Sequence, residues 1–155
     1  MATLRTLFLF ISLLSLSLIS TQSFANSQTQ GGQFQQSGRY QVHYMALSST
    51  FLTPQVAMAY NIKRSRYNAF VNISVLDTLI DGNPAVKANI TGKAVNLTGN
   101  TRQLTFKEVI EGNAIYYIAE LPFRNEERFT IQINSSNKDG LNSRVSFKQQ
   151  FYADQ

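Results

Sequence analysis

Few side chains in this sequence are equipped for catalysis, and their spacing does not bring them together. There is one histidine, His43, and no cysteine. His43 is the sole imidazole available as a general base. Ser48 and Ser49 follow it closely, so a small hydrolase using His43 with Ser48 or Ser49 is the one nucleophilic arrangement to weigh. It needs an acid to orient the imidazole, and the sequence places none. No Gly-x-Ser-x-Gly elbow is present. Asp77, Asp81 and Asn83 bracket a loop that faintly suggests calcium. Without EF-hand spacing and its terminal Glu, they read as turn residues. Glu108, Glu111, Glu120, Glu126 and Glu127 are the candidates for a glycosidic carboxylate pair. Glu126 and Glu127 are adjacent in a turn and Glu120 points outward, so solvated surface is the expectation. No catalytic residue, metal or cofactor is expected.

Binding chemistry is better represented. Lys63, Arg64 and Arg66 form a basic run between Tyr60 and Tyr67. Arginine forks onto phosphate or carboxylate, and a neighbouring tyrosine can stack on a ligand. These five residues with His43 form the expected binding surface. The bland alternative is a solvated loop, which is what charge runs usually make. Fourteen basic against nine acidic side chains give +5, or +4 without Arg5. That excess favours weak attraction to anionic surfaces as well as solubility.

The address narrows the partners. Arg5, the apolar run Thr6 to Ser20, and Ser23-Phe24-Ala25 read as a cleavable secretory signal over residues 1–25. Nucleic acid is therefore not an expected partner. An envelope protein, or an anionic membrane or polymer surface, is. Zero cysteines exclude disulfides and acylation behind the signal, so the protein is not a lipoprotein. A secreted domain without disulfides must rest on its core alone, which suits a periplasm.

The elements that would position these residues are strands. Residues 26–38 are rich in Gln, Ser and Gly and read as a flexible leader; the alternative is an edge strand that pairs with a partner, with Phe34 as its one anchor. Residues 39–155 form the expected domain. Tyr40, Val42, Tyr44 and Ala46 alternate with Gln41 and His43, a half-buried strand. Thr53-Pro54 signals a helix start, and Asn61 a stop. Pro54, Met58 and Tyr60 are expected to cap one end of the domain. Val71, Ile73 and Val75 alternate with Asn72 and Ser74. Residues 85–97 alternate again, with Gly92 marking a bulge or a close backbone approach. Glu111-Gly112-Asn113 reads as a hairpin turn before Ala114–Phe123, a strand with bulk on both faces. Phe129, Ile131 and Ile133, then Val145, Phe147 and Phe151, complete the set. About seven short strands with regular turn signals predict an all-β, immunoglobulin-like antiparallel sandwich with one short helix in its first long connection. With no Trp and no Cys, eleven Phe and seven Tyr must carry the core.

Several of these stretches together resemble one family. They are Arg39-Tyr40-x-Val42-His43-Tyr44, Ser49-Thr50-Phe51-Leu52-x-Pro54, Ala59-Tyr60 and Arg64-Ser65-Arg66. To them are added Val71 to Leu76, Glu111 to Tyr117, and Phe147-x-Gln149-x-Phe151-Tyr152. The chain resembles the periplasmic proteins of gammaproteobacteria grouped as domain of unknown function 4426. The resemblance implies a small secreted all-β domain of a Gram-negative cell, and it brings no catalytic residues and no ligand. The leading expectation is a non-enzymatic binding or accessory domain presenting the 48–67 connection to a partner. The alternatives are the hydrolase above and a structural module that pairs through a sheet edge.

Overall fold

A computed structural model describes residues 33–153. The expected signal segment, residues 1–25, and residues 26–32 of the expected leader lie outside the described residues. The chain order is β1 (Gln33–Ser37), β2 (Tyr40–Ser48), a 3-10 turn (Ser49–Phe51), α1 (Pro54–Ala59), β3 (Asn68–Asp77), β4 (Asn89–Asn96), β5 (Thr101–Leu104), β6 (Lys107–Glu111), β7 (Ala114–Pro122), β8 (Glu127–Ser136) and β9 (Asn142–Phe151). A five-stranded sheet runs β1-β2-β3-β7-β6 and a four-stranded sheet runs β5-β4-β8-β9, with every pairing antiparallel. This is the expected sandwich-like all-β fold with one short helix in its first long connection.

The nine strands exceed the expected seven for two physical reasons. Residues 33–37, read as leader, pair along β2 from Tyr44 to Tyr40 as an edge strand. Backbone hydrogen bonds to β2 hold them, and the Gln35 and Ser37 side chains donate to the Arg144 and Asn142 carbonyls of β9. Residues 101–111 break at Thr105-Phe106 and change sheets: β5 pairs with β4, and β6 pairs with β7. The predicted hairpin is present, with Glu111 opposite Ala114 and Gly112 at φ 54°.

The alternation sets the core. Val42, Val71, Ile73, Val75 and Leu121 face Phe129, Ile131, Ile133 and Val145, all almost fully buried. Each such side chain contributes about 1.5–3 kcal/mol. No disulfide supplements them.

Asp77 bounds a turn, as expected, and is also paired across it. It closes the end of β3 against the start of β2, where it lies opposite Tyr40. Arg39 Nε donates to Asp77 Oδ1 at 2.8 Å, and its Nη2 pairs with Oδ2. Leu79 N donates to Oδ1, and Thr78 donates to the Arg39 carbonyl through both its amide and its hydroxyl. The Arg39 hydrogen bond, chiefly, holds the Asp77 carboxyl below the usual aspartate range. In acid the unfolded chain therefore takes up this proton before the folded one. The stabilisation is complete above about pH 4 and is lost as pH falls through the lowered folded value. Asp77→Asn is expected to lower the thermal midpoint by several degrees at neutral pH, with a deficit that shrinks on acidification. An equal deficit at about pH 6 and about pH 3 would refute this linkage.

Candidate functional site

The connection from Ser49 to Tyr67 is built locally before it is docked. Thr53 Oγ1 accepts from Val56 N, and Pro54 takes the first helical position, where a missing amide costs nothing. Asn61, at φ 51°, ends the helix in the left-handed region, and Ile62 N closes back on the Ala57 carbonyl at 2.8 Å. That turn drives Ile62 inward.

The two limbs of the connection are then stitched together. Ser49, fully buried, donates to the Ser65 carbonyl at 3.1 Å and accepts from Ser65 N at 2.9 Å. Arg64 donates from Nε to the Leu52 carbonyl and from Nη2 to the Thr50 carbonyl. Asn68 Nδ2 donates to the Lys63 carbonyl and to Glu120 Oε2, which also accepts from Lys63 N. Beneath lies a second apolar cluster of Ile62, Phe70 and Ile118, flanked by Leu47, Leu52, Tyr60, Val109 and Tyr116. Phe70 and Ile118 alternate with core residues, so this cluster lies on the outer face of the five-stranded sheet. It is the second face that the bulk in Ala114–Phe123 foretold.

Here the expected capping role changes hands. Met58 is 79 % exposed and Pro54 is exposed, while Ala57 and Ile62 are buried. The connection covers a sheet face rather than an end.

The six expected binding residues are not one site. Arg64 is a structural clamp. Lys63 and Arg66 have no acidic partner among the described residues, and both are exposed. Arg66 lies over the Tyr67 ring, 4.9 Å from its centroid. These three residues share one exposed limb. Tyr60 turns away from them, and its hydrogen bond to Glu111 raises its pKa. His43 stands farther along β2 with its ring 5.2 Å from Phe34 and a ring nitrogen 3.3 Å from Gln41 Oε1. Burial pushes the His43 pKa below the usual imidazole range.

The hydrolase arrangement is not assembled. Ser48 faces the opposite side of β2 from His43, about 16 Å along the strand. Its hydroxyl meets Thr50 Oγ1 at 2.9 Å, and Ser49 is committed to Ser65. The carboxylates are likewise engaged singly. Glu108 meets Lys87 and Tyr117, and Glu120 holds Lys63 N and Asn68. Glu127 accepts from Asn96 and from Arg124 N. Among the described residues no group of three or more His, Asp or Glu is placed to hold a metal ion.

One feature escaped the sequence. The outer face of the five-stranded sheet carries two depressions, of about 460 and 350 Å³. The first is lined by His43, Ser74 and Leu76, and the second by Leu47, Phe51 and Tyr60. Met45, Asn72 and Tyr116 line both, making one shallow groove. Asn72 Oδ1 is buried there without a hydrogen-bond partner. The signal was available in the outward phase of β2, where Met45 and Leu47 follow the polar Gln41 and His43.

Among curated proteins none matches the chain. A crystal structure of a DUF4426 family protein from Pseudomonas aeruginosa PAO1 is 33 % identical, with a TM-score of 0.70, over 82 % of this chain and 99 % of that one. FetP of uropathogenic Escherichia coli strain F11, recombinantly expressed in the periplasm, is 13 % identical with a TM-score of 0.54. That match covers 80 % of this chain and 95 % of FetP. A copper-bound FetP variant is 11 % identical with a TM-score of 0.56, over 79 % of this chain and 95 % of that one. At such identities FetP shares the fold alone. The family described as "Domain of unknown function (DUF4426)" matches residues 34–154, and the chain belongs to that family.

Proposed function

We propose that this protein is a secreted, non-enzymatic accessory domain of the periplasm that meets an anionic envelope surface through Lys63, Arg66 and Tyr67. One observation carries the reading: two cations without acidic partners among the described residues project from a limb whose backbone is fixed by Arg64, Ser49, Asn68 and Glu120. The sequence contains no acidic residue before Asp77, and the carboxylate that reaches the limb, Glu120, is spent on the Lys63 amide and Asn68. The secretory pattern of residues 1–25 supports the address, as does the fold shared with periplasmically expressed FetP. The separation of His43 from Ser48 and Ser49 supports a role without catalysis. The copper of the FetP variant belongs to that protein and forms no part of this reading.

Lys63→Ala with Arg66→Ala is expected to weaken retention on heparin beads and on phosphatidylglycerol vesicles by about 30-fold, at about 1 kcal/mol per cation. Wild-type retention should fall as salt rises. Arg64 is left intact, because its loss would unclamp the turn at Thr50 and Leu52. Equal retention of variant and wild type, or no retention of either at low salt, would reject the proposal.

A second reading is favoured by one edge. β1 (QFQQS) carries no charge, whereas the other edges carry Arg102, Lys107 with Glu108, and Arg144 with Lys148. Charged edges resist pairing and neutral ones invite it. A mass that rises with concentration in sedimentation equilibrium would support pairing through β1, and a strictly monomeric mass would remove it.

A further inference from the structure

Resting on that proposal, we infer that the anionic surface is a lipid bilayer, and that the connection inserts Phe51, Val56 and Met58 at the boundary between headgroups and acyl chains. Phe51 is 74 % exposed, Met58 79 % and Val56 38 %. Helix α1 (PQVAMA) has no charged residue and buries only Ala57. An apolar helical turn that faces water on nearly every side has been left for a partner. It belongs to the same connection as Lys63 and Arg66, which has no acidic residue of its own and is adjoined by Glu120 and Glu111 from the sheet, so one element carries both the apolar tips and the cations.

Leu79, Ile80 and Leu97, also exposed, lack that combination. Leu79 and Ile80 adjoin the exposed carboxylate of Asp81, and Leu97 lies in an uncharged turn. A polyanionic glycan would satisfy the cations and leave Phe51 and Met58 in water. A bilayer interface takes both: acyl boundary for the apolar tips, phosphates for Lys63 and Arg66, and the intermediate zone for Tyr67. The Arg64 clamp on the Thr50 and Leu52 carbonyls fixes the turn that carries Phe51 before any contact. Little ordering is then needed on binding. Among the described residues no helix is long and apolar enough to cross a membrane.

The test uses protein purified from the periplasm of an expressing host. The probes are vesicles of phosphatidylglycerol with phosphatidylethanolamine, vesicles of phosphatidylcholine, and heparin beads. Phe51→Ser with Met58→Ser is expected to reduce partition onto the anionic vesicles about tenfold while leaving heparin retention and the thermal midpoint unchanged. Phe51→Trp places the sole indole of the chain at the tip. Its emission should shift to the blue on anionic vesicles and be quenched by brominated acyl chains. Undiminished vesicle binding by the serine variant, with an unshifted indole, would overturn insertion while leaving the electrostatic proposal standing. Retention on heparin without binding to any vesicle would also overturn it, and would point to a polymer. Loss of both bindings in the wild type would instead sink the proposal beneath it.

Discussion

Phe129→Ala is expected to reduce the free energy of unfolding by about 4 kcal/mol. Phe129 has no exposed surface. It sits on β8, an interior strand of the four-stranded sheet, opposite Asn96 on one side and Gln149 on the other. Its ring lies 6.3 Å from Phe151, which stacks at 5.0 Å on Phe123, and Arg102 lies over it at 5.3 Å. Truncation loses the transfer free energy of the ring and opens a void that two flanking ladders keep from collapsing. A domain of this size has about 5–15 kcal/mol in all, and no disulfide limits its unfolded state. The loss is a large share of the total. Urea titration should show a lower midpoint at unchanged slope. Phe51 is the internal control: it is the same residue type, largely exposed, so Phe51→Ala should move the midpoint little. A loss at Phe129 below about 1 kcal/mol would mean that the site relaxes as freely as a surface position.

The strands were legible because the core asks for a period of two and little else. Val71, Ile73 and Val75, or Phe129, Ile131 and Ile133, declare one buried face without reference to any partner. What stayed hidden was decided by pairing. β1 buries almost nothing and is held by main-chain hydrogen bonds to β2, so a Gln-rich stretch looked like leader. The switch at Thr105-Phe106 keeps a strand-like pattern on both sides of the break, and only the choice of neighbour, β4 or β7, distinguishes β5 from β6. The turn at Asp77 was legible, but its ion pair was not, because its partner, Arg39, lies 38 positions away.

The site was half legible. The basic run and its tyrosines were visible, and so was the N-cap at Thr53. The sequence did not reveal which cation is spent inside the fold. Arg64 and Arg66 look alike on paper. Arg64 satisfies two carbonyls of the preceding limb, and Arg66 is left on Tyr67. The inward turn at Ile62 follows from the left-handed Asn61, whose role as a stop was visible but whose consequence for the next residue was not. Met58 shows the limit of hydrophobicity as a guide. On a helix of six residues, one small side chain, Ala57, suffices to dock it, and the larger one is left outside.

Gly92→Ala sets two effects of opposite sign against each other. Replacing glycine usually stabilises by about 0.4–1 kcal/mol, through a less flexible unfolded chain. Gly92 is not in the left-handed region, so its backbone would accept alanine. The space would not. A Cβ would lie 2.7 Å from Ile133 Cδ1, 2.9 Å from the Gln132 carbonyl oxygen and 3.3 Å from Phe106 Cε2. Ile133 is fully buried, and the carbonyl belongs to β8, paired with β4 at this point, so neither moves cheaply. Phe106 lies where the chain crosses between the sheets. Overpacking costs of about 1–3 kcal/mol outweigh the entropic gain, and a net loss of about 2 kcal/mol is expected. Ile133→Val removes the Cδ1 that meets the new methyl and alone costs about 1 kcal/mol. If the clash is chiefly with that methyl, the double variant loses less than the sum of the two single losses. Strict additivity would assign the strain to the carbonyl, and a stabilised Gly92→Ala protein would show that β8 and Phe106 do not crowd β4 at Gly92 as closely as the approach expected there requires.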